Sequence, residues 1–149
     1  MQDTTMLIEI LFWLLLVLTC LFCALAGGKA GRAGVALIIA ATIATDIAQN
    51  TTNWSHTAWP IAAIDAALLV GLYILALKSR TYWPLWATGF HLITVITHIA
   101  TIIAPGFRFG VYFGFSGIWS LLTLLAMVIG VAADHRASHN RRAEPAPTE

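Results

Sequence analysis

Residues 83–104 read WPLWATGFHLITVITHIATIIA, an apolar run with two histidines inside it. A helix that crosses a bilayer needs about 20 mostly apolar residues, and this run supplies them. It opens on Trp83-Pro84, where a proline in the first helical turn costs no hydrogen bond. It closes at Ala104-Pro105-Gly106, which breaks the helix. The residues that do not suit lipid are His91 and His98. An ionisable side chain in the hydrocarbon layer is expensive, so it faces protein or a water-filled cavity. This stretch therefore sets two expectations: a membrane-spanning helix, and a polar interior for that helix to face.

The same reading extends outward in both directions. Residues 6–27, 33–50, 59–77 and 109–133 are further apolar runs, so the chain reads as an all-α, polytopic transmembrane bundle of about five spans. The run 33–50 is the weakest, because Ala41, Ala44 and Ala48 are only mildly apolar and Asp46 opposes insertion. A re-entrant segment is its alternative. Composition agrees with a chain dissolved in lipid: 59% of the 149 residues are hydrophobic and 10% are charged, against about 25% charged in a soluble domain. The net charge of +1 gives no basic field for nucleic acid. Residues 1–133 form a single bundle in this reading, and 134–149 a polar, disordered cytoplasmic tail containing Pro145 and Pro147.

Lysine and arginine set an expected topology. Lys29 and Arg32, Lys78 and Arg80, and Arg136, Arg141 and Arg142 all fall on one side of a five-span bundle, and only Arg108 on the other. The positive-inside rule makes the first side cytoplasmic and leaves the N-terminus outside. Ala24-Leu25-Ala26 resembles a signal-peptidase site, but the first residues carry Asp3 and no basic residue, so 6–27 is read as a mature span.

The polar residues fall in stripes. Thr42, Thr45, Asp46 and Gln49 share one face of the second span, as do Thr88, His91, Thr94, His98 and Thr101 on the fourth. His91 and His98 lie two turns apart, about 10.5 Å along the axis. Asp65 is the one charged residue of the third span. Asp46, Asp65, His91 and His98 form the candidate intramembrane cluster, with Glu9, Gln49 and His56 as contributors from the outer side. Such groups bond neighbouring helices together, or carry protons, or bind a metal. A metal, if bound, would draw on Asp46, His56, Asp65 and His98. Two histidines on one helix cannot take opposite faces of one haem, and no motif requires a cofactor. Cys20 and Cys23 make a C-x-x-C inside an apolar span, where thiols stay neutral and act as small apolar residues.

The segment from Arg80 through Tyr82-Trp83-Pro84-Leu85-Trp86 to His91 and His98 resembles a stretch in small uncharacterised multi-span bacterial membrane proteins. The resemblance implies a bacterial inner-membrane setting and no activity. Nothing here matches a zinc-protease helix, a nucleophile elbow or a phosphate loop. The function expected is a non-enzymatic accessory or scaffold subunit. Its partners would be the lipid bilayer, other membrane proteins or copies of itself. A proton- or ion-handling transporter or channel is the first alternative, and a membrane metal- or haem-binding protein the second.

Overall fold

The computed structural model of the chain describes residues 2–51, 58–103 and 109–143, with side chains described at 6–7, 10–50, 59–103 and 118–140. Among these, five helices follow one another: α1 (Gln2–Ala26), α2 (Gly28–Thr51), α3 (Ala58–Lys78), α4 (Trp83–Ile103) and α5 (Phe109–Ala143). Four carry apolar stretches long enough to cross a membrane, over Gly28–Asn50, Trp59–Lys78, Trp83–Ile103 and Ile118–Asn140. A shorter apolar stretch, Ile10–Ala26, lies in α1. By helix length and hydropathy the chain is a multi-pass membrane protein. α2 runs unbroken for 24 residues, so the re-entrant alternative finds no break to turn on. α5 continues past Ala133 to Ala143, so the first part of the expected tail is helix. Residues 134–143 contain neither glycine nor proline, and nothing local stops the helix there.

Each helix packs on its neighbours in sequence, and α1 returns against α5. Short connections force this up-and-down order. Between α1 and α2 stands the single bend residue Gly27, followed by Gly28 at φ 56°. That left-handed conformation suits a residue without a Cβ. The orphaned carbonyls at the end of α1 are taken up locally: Cys23 accepts from the Gly27 N–H at 3.0 Å, and Ala24 from Arg32 Nε at 3.3 Å. Between α3 and α4, the Thr81 N–H donates to Ser79 Oγ at 3.1 Å, and the Leu85 N–H donates to the Tyr82 carbonyl at 3.1 Å.

The apolar core lies toward the end of the bundle that carries Lys29, Arg32, Lys78 and Arg80. It joins Cys20 and Cys23 of α1, Val35 and Ile38 of α2, Trp83 and Ala87 of α4, and Leu124, Met127 and Val131 of α5. Trp83 is its centrepiece. A Cβ on Gly34 would stand 2.6 Å from the Trp83 ring, and one on Gly130 would collide with the Trp83 Cβ. Two glycines on two different helices thus make the slot that the indole fills. In lipid, helices gain little from hiding apolar surface, so close packing through small residues is what draws them together. Outward, Leu14, Leu18, Ile43, Val70, Ile96, Leu125 and Ile129 are all exposed, an apolar surface suited to a lipid environment.

Candidate functional site

The two histidines of α4 and the aspartate of α3 meet on one carboxylate. Steps of three and four residues put His91, Thr94 and His98 on a single α4 face, and all three are buried. α3 and α4 run antiparallel, so Asp65 stands level with the midpoint between the two histidines. His98 Nε2 lies 2.6 Å from Asp65 Oδ2. His91 Nε2 lies 3.1 Å from the Asp65 backbone carbonyl and 3.7 Å from Oδ1. A carbonyl only accepts, so His91 donates through Nε2–H. The short His98 contact holds one proton between imidazole and carboxylate. A hydrogen bond with an ionised partner is roughly twice as strong as one between neutral groups. The Asp65 side chain keeps 18% of its surface exposed, against 5% and 6% for the two imidazoles.

Among the described residues, most of the remaining threonines are satisfied on their own helices. The hydroxyls of Thr88, Thr97 and Thr101 donate to the carbonyls of Pro84, Ile93 and Thr97 at 2.6–2.8 Å. Thr42 and Thr123 do the same to Ile38 and Trp119. Thr94 departs from this pattern. It is 2% exposed, and its Oγ1 has no hydrogen-bond partner. The buried Nε1 of Trp119 on α5 is likewise unpartnered. Trp119 stacks on Phe90, one turn from Thr94, with ring centroids 6.4 Å apart. Two buried polar atoms on facing elements therefore lie close to the His–Asp–His group in level. Buried polar atoms are normally bonded, which sets these two apart.

The other sequence candidates do not join this group. Asp46 and Gln49 stand exposed on α2 and take no part in the Asp65 pairings. His56 and the side chain of Glu9 lie outside the described residues. Gly110 and Gly114, a G-x-x-x-G on α5, also fall where side-chain surroundings are not described. Among the described residues, no three His, Cys, Asp or Glu side chains converge as a metal-holding set. Cys20 and Cys23 are buried free thiols within the apolar core. The Trp83 slot and the role of Trp119 were not read from the sequence. The small residues Gly34 and Gly130 signalled the first only after Trp83 was placed between them. No family model, curated protein or solved structure matches this chain.

Proposed function

We propose that the chain is a non-enzymatic membrane module, an accessory or scaffold subunit whose polar interior clamps α3 to α4. One observation carries this reading. The buried ionisable groups of α3 and α4 meet one another, His98 at the Asp65 carboxylate and His91 at the Asp65 carbonyl. Pairing of this kind fixes the rotation and register of two helices. The apolar core around Trp83, Met127 and Val131 supports the same reading, because it packs the basic end of the bundle with apolar side chains. The outer surface is left for lipid and for protein partners.

A second reading is favoured by Thr94 and Trp119. Their unpartnered atoms, beside a partly exposed Asp65, would suit a proton-binding site open toward the other end. The two readings separate in one experiment on purified protein, comparing Asp65→Asn and His98→Gln with the parent chain. The clamp predicts a lower unfolding temperature in detergent for both variants, and no proton flux into liposomes from the parent. Flux in the parent that disappears in a stably folded Asp65→Asn variant overturns the scaffold and establishes the proton site.

A further inference from the structure

Between α1 and α2 runs an open groove of about 450 Å³. Its walls include Trp13, Val17 and Ala24 of α1 and Ile39 and Ile43 of α2. Thr42 also lines it, but turns its hydroxyl onto the Ile38 carbonyl at 2.8 Å. The groove offers apolar surface along its length. From Trp13 to Ala24 it follows α1 for about 16 Å at 1.5 Å per residue, close to half of a roughly 30 Å hydrocarbon layer. It is therefore as deep as one leaflet.

The groove ends at charge. Ala24, its last α1 residue, accepts a hydrogen bond from Arg32 Nε at 3.3 Å. That bond pins the guanidinium at the groove's mouth and leaves its terminal N–H groups for another acceptor. Lys29 lies one turn earlier on the same helical face, so both cations continue the α2 stripe that carries Ile39 and Ile43. Both are exposed. We infer that this groove is a binding site for one anionic phospholipid of the leaflet on the basic side. The acyl chain lies along Trp13, Val17 and Ile39, and the phosphate is held by Arg32 and Lys29. Arginine suits this place because its planar fork matches a phosphate while Nε keeps the helix end capped.

The test uses the full chain, purified in mild detergent and stripped of lipid. Dioleoyl phosphatidylglycerol and dioleoyl phosphatidylcholine are added separately, and retained lipid is counted by native mass spectrometry. One phosphatidylglycerol should be held in preference to phosphatidylcholine. Arg32→Gln and Lys29→Gln should each weaken that retention about five-fold, the worth of one cation at a membrane surface. Val17→Trp fills the groove from its exposed rim and should lower retention of both lipids. If the Arg32 variant does not fold, Lys29→Gln decides, since it leaves the Ala24 cap in place. Equal retention of the two lipids, or phosphatidylglycerol retention indifferent to Val17→Trp, overturns the site. So does efficient disulfide cross-linking of an Ile39→Cys variant between copies in membranes, which would make the groove a contact between subunits.

Discussion

At the residue scale the molecule turns on Asp65. Its carboxylate is shared by two imidazoles of the next helix, one at 2.6 Å and one at 3.7 Å. In water a broken buried ion pair costs about 3–5 kcal/mol, but polar pairs between membrane helices average nearer 0.6 kcal/mol, because the unfolded chain in lipid also finds partners. A short, buried Asp–His pair should lie between these limits. Asp65→Asn and His98→Gln are each expected to lower unfolding stability in detergent by about 1–2 kcal/mol, and the double variant by less than their sum. Strict additivity in that cycle would mean the pair contributes nothing. Thr94→Val makes the opposite prediction. It removes a buried hydroxyl without a partner at nearly constant volume, so stability should hold within about 1 kcal/mol or rise slightly. A larger loss would show that Oγ1 is engaged. The sequence already placed Asp46, Asp65 and His98 in one candidate cluster. Periodicity tells which residues share a face, but not which way that face turns, so the exposure of Asp46 was not legible.

At the element scale the helices are held by slots and caps. Gly130→Ala would drive a methyl group into Trp83, a residue 3% exposed and packed against α2 and α5. Overpacking of a filled core typically costs about 1–3 kcal/mol, and the expected drop in unfolding temperature should be largely restored by Trp83→Leu. No rescue would place the strain elsewhere. Gly28→Ala forces a Cβ onto a residue at φ 56° and should cost about 1 kcal/mol, read in the same unfolding assay. Helix existence was the most legible property of this chain, because each apolar run is close to one bilayer thickness. Helix ends were less so. α2 begins five residues earlier than its apolar run, at Gly28, and α5 ends ten residues later than its run, at Ala143. Polar residues outside the hydrocarbon continue a helix as readily as apolar ones, so hydropathy marks the span and not the helix.

At the scale of the whole molecule, the five helices divide their interior by height. The apolar core gathers around Trp83 toward the basic end, and the polar group lies beyond it on α3 and α4. The polar stripes were readable from the sequence; the packing of an indole between two glycines was not, because that contact joins residues far apart in the chain. The positive-inside rule, applied to the lysines and arginines at that end, predicts a cytoplasmic orientation for it. A reporter active only in the cytoplasm, fused after Glu149, should then be active, and silence there with activity at the N-terminus would reverse the orientation. The most direct measurement on the central claim is proton entry into liposomes containing the purified chain under an imposed pH gradient. A clamped, apolar-sealed bundle predicts the same leak as protein-free liposomes. A protein-dependent flux that vanishes in a folded Asp65→Asn variant would contradict it.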